Sequence, residues 1–235
     1  AAAGLGTVVH QSFPGVLGES RGGEGGEGAK WQLQTAGARD LGFGKHRLVD
    51  DTPAGVGAGM VLRADVLGNA IDHTLRRARG NGPLIYLSPR GRRFDQAMAR
   101  DWSGRDGVTL LCGRFEGVDQ RVLDHYGIEE VSLGDFVLTG GEIAAQAMID
   151  ATVRLLPSVL GNAESIEEES HSNGLLEHPQ YTRPAEWNGL EIPDVLMSGH
   201  HGKIEDWRHE MSEKLTQQRR PDMWEAYCKK HPEKG

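Results

Sequence analysis

Three stretches decide the fold: IYLSPRG at residues 85–91, CGRFEGVD at residues 112–119 and SLGDFVLTGGE at residues 132–142. Each runs from an apolar, strand-like segment into a turn rich in Gly, Pro or Ser. Glycine at such a turn lets the backbone approach a ligand closely. Taken singly, each is an ordinary strand-end turn. Together, at the ends of adjacent strands, they would form a pocket of main chain that suits a flat, hydrogen-bonding ligand such as adenine.

Short apolar strands alternate with amphipathic helices along most of the chain. Residues 84–87 and 108–112 are runs typical of buried strands, and residues 31–35 alternate like a strand. Apolar spacing predicts helices at residues 64–79 and 142–156. The predicted buried faces are Val66, Leu67, Ala70, Ile71 and Leu75 in the first helix, and Ile143, Ala144, Ala147, Met148, Ala151 and Leu155 in the second. This alternation predicts an α/β fold with a parallel sheet covered on both faces.

The composition along the chain predicts three regions. Residues 1–160 hold the strands and helices of the α/β domain, and residues 161–175 form an acidic, flexible linker with four Glu and no Lys or Arg. Residues 176–235 form a small, mainly helical domain with helices near 203–217 and 221–229. The glycine-rich residues 18–28 lack the Lys-Ser/Thr ending of a phosphate-binding loop.

Charge, cysteine content and hydropathy narrow the class of protein. The net charge of −8 disfavours nucleic-acid binding, but half of it lies in residues 161–175, so a local basic surface stays possible elsewhere. No apolar run approaches the roughly 18 residues of a membrane span, and the first residues lack a signal-peptide pattern. Cys112 and Cys228 are expected to be buried free thiols in a reducing cytoplasm.

Taken together, the three stretches resemble the cofactor-binding half of the bacterial tRNA (guanine-N1)-methyltransferase family, which belongs to the SPOUT superfamily. The resemblance runs from about residue 45 to residue 227, with further matches at 45–51 (KHRLVDD), 154–157 (RLLP), 174–184 (GLLEHPQYTRP) and 196–201 (LMSGHH). It implies methyl transfer from S-adenosyl-L-methionine to N1 of the guanine 3′ of the anticodon, in a cytoplasmic homodimer. It also implies a deep trefoil knot, which general rules on chain connections would not propose.

The resemblance implies the residues around the cofactor and the RNA. The cofactor would contact Tyr86, Leu87, Ser88, Pro89, Gly113, Glu116, Val131, Ser132, Leu133, Gly134, Phe136, Leu138, Gly140 and Gly141. The tRNA would contact His46, Asp50, Ser170 and Arg183. Glu116 would hold the ammonium group of the cofactor or a Mg²⁺ ion, and Phe136 stands where many relatives have Tyr.

The reaction explains which catalytic groups are needed. N1 of guanine carries a proton at neutral pH, so a general base must accept it, and a cation must stabilise the charge that develops on O6. The resemblance implies that Glu169, in the acidic linker, is the base in place of the usual Asp. It implies that Arg154 is the cation. From the residues alone, an ordinary surface arginine with a buried aliphatic part explains this position equally well.

Other readings of the sequence stay open. A non-catalytic RNA-binding relative would keep the fold while Glu169 and the altered glycine-rich stretch at Val56 weaken the chemistry. A nucleotide-dependent oxidoreductase is disfavoured, because residues 55–60 lack the third glycine of the dinucleotide fingerprint. His200 and His201 invite a zinc hypothesis, but no Cys accompanies them and their spacing fits no usual site, so no metal site is predicted.

Overall fold

A computed structural model of the protein describes residues 3–8, 31–38, 48–55, 58–77, 82–114, 116–156, 170–171 and 173–234. The chain forms two compact units, Ala1–Gly161 and Asn162–Gly235. None of the helices in these ranges combines the length and apolar character that crossing a membrane requires.

A parallel sheet of five strands lies at the centre of the first unit. Its strands are β1 (Ala3–Val8), β2 (Trp31–Ala36), β5 (Leu84–Arg93), β6 (Gly107–Cys112) and β7 (Glu129–Ser132), in the spatial order β2-β1-β6-β5-β7. Two further strands, β3 (Asp50–Asp51) and β4 (Val61–Leu62), form a separate antiparallel pair. The predicted parallel sheet is therefore confirmed, as are the strands expected near residues 31, 84 and 108.

Strand β5 continues beyond the residue at which the sequence predicts its end. Leu87 and Arg92 both pair with Val131 of β7, so the four residues between them bulge out of the ladder. A Cβ atom on Gly91 would overlap the backbone of Glu130 and Val131, which explains why glycine occupies this position. The prediction that the strand stops at Leu87 is wrong because glycine here closes a bulge and does not end the strand.

Helices cover both faces of the sheet. Helices α1 (Ala64–Arg77) and α3 (Gln120–Tyr126) pack on one face, and α2 (Gln96–Ser103) and α4 (Glu142–Val153) pack on the other. Strand residues alternate between the two cores, so that Ile85 and Leu87 join the α2–α4 side while Tyr86 joins the α1–α3 side. Burial on both faces accounts for the continuous apolar runs of β5 and β6.

The predicted buried faces of two helices need correction. In α4, Ile143 is 63% exposed, whereas Ala145, Ile149 and Val153 are buried together with Ala144 and Met148. Apolar residues surround most of this helix, so their spacing does not single out one face. In α1, Leu75 is 42% exposed, and the buried neighbour is Thr74, whose hydroxyl donates to the carbonyl of Ala70 at 2.8 Å. Helix α4 ends at Val153, three residues earlier than predicted.

The second unit contains helices and one short hairpin in its described part. Strands β8 (Glu186–Trp187) and β9 (Leu190–Glu191) are joined by Asn188 and Gly189, both with positive φ, as a tight hairpin turn requires. Three helices follow: α5 (Asp194–Met197), α6 (His201–Arg219) and α7 (Pro221–Lys230). The two predicted helices of this region correspond to α6 and α7.

A small core holds the second unit together. Leu175 is 2% exposed, and the buried Thr216 of α6 accepts a hydrogen bond from the backbone N–H of Leu176 at 2.8 Å. The hydroxyl of Ser170 accepts from the N–H of Glu177 at 2.9 Å. The residues around Leu175 are thus attached to helix α6, although the sequence places them at the end of a linker.

Candidate functional site

A pocket of about 430 Å³ lies where β6 and β7 end and where β5 bulges after Leu87. These strands are neighbours and run parallel, so the bulge of β5 lies beside the ends of the other two. The bulge and the turns after β6 and β7 form the wall, and open α/β sheets commonly bind ligands at this edge.

The structure brings together nearly all of the residues predicted to contact a cofactor. Gly134 alone of that set does not line the pocket. The lining residues that were predicted are Tyr86, Leu87, Ser88, Pro89, Gly113, Glu116, Val131, Ser132, Leu133, Phe136, Leu138, Gly140 and Gly141.

Sequence reasoning missed several other lining residues. They are Arg90, Arg114, Gly117, Val118, Gln120, Val137, Thr139 and Ala144. Most of them lie inside the three quoted stretches, and Gln120 and Ala144 follow within two residues. Their position inside or directly after the three stretches was therefore the feature of the sequence that could have identified them.

The second and third turns are joined to one another by main-chain and side-chain contacts. The N–H of Gly141 donates to the carbonyl of Gly113 at 3.1 Å, and Arg114 pairs with Gly140 in an isolated bridge. The Nε of Arg114 donates to Oε1 of Glu142 at 2.8 Å, and Glu142 is only 7% exposed. This ion pair ties the wall after β6 to the start of helix α4, a role that the sequence did not reveal.

Glycine is required where the pocket walls approach one another. A Cβ atom on Gly113 would lie 2.8 Å from the ring of Tyr86, and one on Gly141 would lie 2.9 Å from Cα of Cys112. A Cβ atom on Gly140 would meet the carboxylate of Glu142. These distances are shorter than side chains tolerate, so larger residues would force the walls apart or fill the pocket.

Burial sets the protonation of two groups at the pocket. Removal from water raises the pKa of Tyr86, so its hydroxyl stays protonated and can donate a hydrogen bond. Burial, and then the nearby charge of Glu142, raises the pKa of the Cys112 thiol. Cys112 is a buried free thiol, as predicted, whereas Cys228 is only half-buried, contrary to the prediction.

The turns are also fixed locally. The hydroxyl of Ser132 donates to the carbonyl of Gly134 at 2.9 Å, and the N–H of Phe136 donates to the same carbonyl at 2.9 Å. The N–H of Glu116 donates to the carbonyl of Met60 at 3.0 Å, so the exposed Glu116 is held on the pocket rim.

Other predicted site residues lie apart from this pocket or outside the described ranges. Arg154 is the half-buried C-cap of helix α4, and Asp50 pairs with Leu62 in the small antiparallel sheet; neither lines the pocket. Ser170 and Arg183 belong to the second unit. His46, Val56 and Glu169 lie outside the described residues.

A search of the described residues finds no group of three or more His, Cys, Asp or Glu side chains that could hold a metal ion. His200 and His201 begin helix α6, where His200 is its N-cap residue. Within the described ranges, Glu116 is the carboxylate on the rim of the pocket.

The ion pair between the exposed Arg114 and the buried Glu142 should matter more for stability than a pair in which both side chains are exposed. Arg114→Met leaves the carboxylate of Glu142 buried without its partner, so we expect a loss of about 1–3 kcal/mol in the free energy of unfolding. Arg105→Met removes the exposed pair with Asp101 in the same unit and should change it by less than about 1 kcal/mol. Urea denaturation of both variants measures the difference. Equal losses would show that the Arg114–Glu142 pair does not stabilise the turns.

The geometry and the comparisons with known proteins together define the protein. It is an α/β protein with a parallel sheet and a pocket walled largely by main chain at the edge where such sheets commonly bind small ligands. Residues 5–226 match the model of the family described as tRNA (Guanine-1)-methyltransferase TrmD, so the chain belongs to that family.

Relatives resemble the chain over nearly its whole length. Proteins named tRNA (guanine-N(1)-)-methyltransferase from Ruegeria sp. (strain TM1040) and Ruegeria pomeroyi are 69% and 67% identical to it, each over 94% of this chain and 91% of the relative. The protein of that name from Rhodospirillum rubrum is 53% identical over the same shares. The family resemblance stated from the sequence is confirmed.

Proposed function

We propose that this enzyme transfers a methyl group from S-adenosyl-L-methionine to N1 of guanine in tRNA, at the guanine 3′ of the anticodon. The observation that carries the proposal is the glycine-lined pocket at the bulge of β5 and the ends of β6 and β7, in a chain of the tRNA (guanine-1)-methyltransferase family. The same membership argues against the oxidoreductase hypothesis, for which no dinucleotide fingerprint exists in the sequence.

The pocket fits the shape and chemistry of the proposed methyl donor. Its volume of about 430 Å³ lies within the range of small-molecule sites, and close-packed glycines leave room for a flat ring beside the main chain. The apolar side chains of Leu87, Val131 and Leu138 would contact the faces of adenine. Glu116 on the rim would pair with the ammonium group or with Mg²⁺. The bound donor supplies a methyl group already activated on a sulfonium.

The residues of the chain supply acid–base chemistry and orientation. We assign Glu169 as the base that accepts the N1 proton and Arg154 as the cation that stabilises the charge on O6. Arg154 is half-buried at the end of helix α4, where a guanidinium is less screened than on an open surface. Contacts of His46, Asp50, Ser170 and Arg183 with the tRNA would hold guanine in line with the methyl group.

The fold and assembly of the enzyme are also part of the proposal. Membership of this family is the basis on which we infer a trefoil knot in the methyltransferase domain of residues 1–160. Phe136, Val137 and Ile143 are exposed apolar residues on and beside that turn, which supports a homodimer. Residues 161–175 would link this domain to a helical tRNA-binding domain of residues 176–235 in a cytoplasmic enzyme, with the end of the linker fixed at Ser170 and Leu175.

Identification of the methylated base tests the proposal most directly. After incubation of the protein with S-adenosylmethionine and bulk tRNA, nucleoside mass spectrometry should detect 1-methylguanosine. Calorimetric titration should show binding of S-adenosylmethionine and none of NADH. Production of a different methylated nucleoside, or none, would refute the assignment.

Binding of tRNA should weaken as salt rises, despite the net charge of −8. Basic residues of the second unit, such as Arg183, Arg208 and Arg219, would replace counterions on the phosphates, so affinity should fall steeply between ~50 and ~200 mM salt. Arg220 should contribute less than Arg183, since it is paired with Asp222. Filter binding across this range measures the slope, and S-adenosylmethionine affinity serves as the control. A flat dependence for tRNA would point away from a surface that binds phosphates.

A further inference from the structure

A second cleft, of about 910 Å³, lies within the second unit. Its wall is formed by the segment that precedes the β8–β9 hairpin and by helices α5 and α6. The lining residues are His178, Pro179, Gln180, Tyr181, Thr182, Arg183, Pro184, Ala185, Ile192, Leu196, Met197, Ile204, Trp207 and Arg208.

A buried histidine in this cleft has one ring nitrogen without a partner. His178 is 8% exposed, and its Nδ1 lies 3.2 Å from the carbonyl of Pro179. In the neutral ring, Nδ1 then carries the hydrogen and Nε2 has a lone pair that accepts. Nε2 is fully buried and finds no hydrogen-bond partner among the described residues. Buried polar atoms are nearly always paired in native proteins, so this atom points to a ligand donor that completes the site.

The cleft that His178 lines also offers aromatic and apolar surface. The rings of Tyr181 and Trp207 lie with their centroids 6.1 Å apart at an interplanar angle of 61°. Tyr181 is 48% exposed although it packs on Trp207, so one face of the pair stays open. Ile192 and Ile204 add half-buried apolar surface. An accessible aromatic surface of this kind suits a planar ring, since every nucleobase has a face that stacks.

The charge of the cleft selects an anionic ligand. Arg183 and Arg208 line it, and none of the described lining residues is Asp or Glu. Arg183 is exposed and forms no ion pair with any described residue. A guanidinium at the mouth of an aromatic cleft matches a phosphate attached to a stacked base.

We propose that this cleft holds one unstacked nucleotide of single-stranded RNA. The base stacks on the Tyr181–Trp207 pair, the phosphate contacts Arg183, and a hydroxyl or amino group of the nucleotide donates to Nε2 of His178. The inference rests on the proposed function, because an enzyme that acts on tRNA meets unpaired nucleotides in its loops, where single-stranded bases are recognised by stacking.

Binding of a fluorescein-labelled, unstructured RNA hexamer to the full-length protein tests the inference. Tyr181→Ala and Trp207→Ala should each weaken binding by about ten-fold, while Trp207→Phe, which keeps a stacking face, should change it by less than about three-fold. Arg183→Gln should lower the salt slope of binding by about one. His178→Phe keeps a flat, buried ring without the acceptor and should weaken binding by about five-fold.

A matched control separates the cleft from the general surface. Trp187→Ala removes a tryptophan that is 65% exposed on the β8 strand of the same unit but does not line the cleft, and it should bind the hexamer like the parent. Thermal unfolding checks that each variant folds. Should His178→Phe fail to fold, the Trp207→Ala and Trp207→Phe pair still decides the outcome.

The hexamer assay tests the cleft and the methylation assay tests the enzyme function, so either proposal can be refuted without the other. Parental methylation of tRNA with unchanged hexamer binding in Tyr181→Ala and Trp207→Ala would overturn the cleft and leave the enzyme function intact. Loss of hexamer binding in these variants, in a protein that produces no 1-methylguanosine, would support the cleft and overturn the function. A DNA hexamer of the same sequence identifies the donor: weaker parental binding than to RNA assigns it to the 2′-hydroxyl, and equal binding to the base.

Discussion

Gly113→Val should abolish binding of S-adenosylmethionine while the protein stays folded. The Cβ atom would lie 2.8 Å from the ring of Tyr86, so the valine must displace that ring or its own methyl groups must enter the pocket. Either movement occupies the space of a flat ligand held against the main chain. We expect the Kd, measured by calorimetry, to rise by about 100-fold or more, which corresponds to about 2.7 kcal/mol.

Three further variants show whether this effect belongs to the pocket. Gly140→Val should also abolish binding, because its Cβ atom would meet the carboxylate of Glu142. Ser88→Ala removes only a hydroxyl and should have a much smaller effect. Gly104→Val is the matched control, since its Cβ atom would lie 3.6 Å from the nearest atom, the carbonyl oxygen of Asp101, which is ordinary contact. Unchanged affinity in Gly113→Val and Gly140→Val would remove this pocket from the proposed cofactor site.

The sheet and the pocket were predictable because the apolar pattern of each strand and the geometry of a parallel sheet lead to the same arrangement. Continuous apolar runs such as residues 108–112 indicate strands buried on both faces, and parallel strands place the following turns at one edge. The glycine-rich segments after three apolar runs therefore predicted that one pocket wall is shared between them, even without knowledge of the strand order. The residue pattern alone suggested only that the ligand is flat. The family resemblance added the expectation that it is S-adenosyl-L-methionine.

Features that depend on distant partners were not predictable. The buried face of helix α4 is set by packing on α2 and the sheet, and an alanine-rich helix offers several equivalent faces. The bulge in β5 arises because Gly91 lies against the backbone of Glu130, which is 39 residues further along the chain. Likewise, the sequence shows Glu142 only as a residue in the first turn of a helix, and the structure shows that it is a buried carboxylate paired with Arg114. Sequence spacing carries no information on such contacts.

Glu169→Gln should slow methyl transfer by ~10²- to 10⁴-fold, the usual contribution of a general base. Glutamine keeps the shape and hydrogen bonding of glutamate but cannot accept the N1 proton of guanine, so the protein should still bind both S-adenosylmethionine and tRNA. Single-turnover rates at saturating enzyme isolate the transfer step from product release. A fall in the rate with unchanged dissociation constants is the signature of lost proton transfer.

Variants of the neighbouring glutamates, together with a variant that shortens Glu169, distinguish one catalytic base from a general effect of negative charge in this segment. Glu169→Asp retains a carboxylate, and we expect substantial activity, because only the length of the side chain changes. Glu167→Gln and Glu168→Gln remove the same charge at adjacent positions and should leave most of the rate intact if Glu169 alone takes the proton. Equal losses in all three glutamine variants would show that net charge matters and not one base. A parental rate in Glu169→Gln would place the base elsewhere, and Asp50, held in the small antiparallel sheet, would be the next residue to replace.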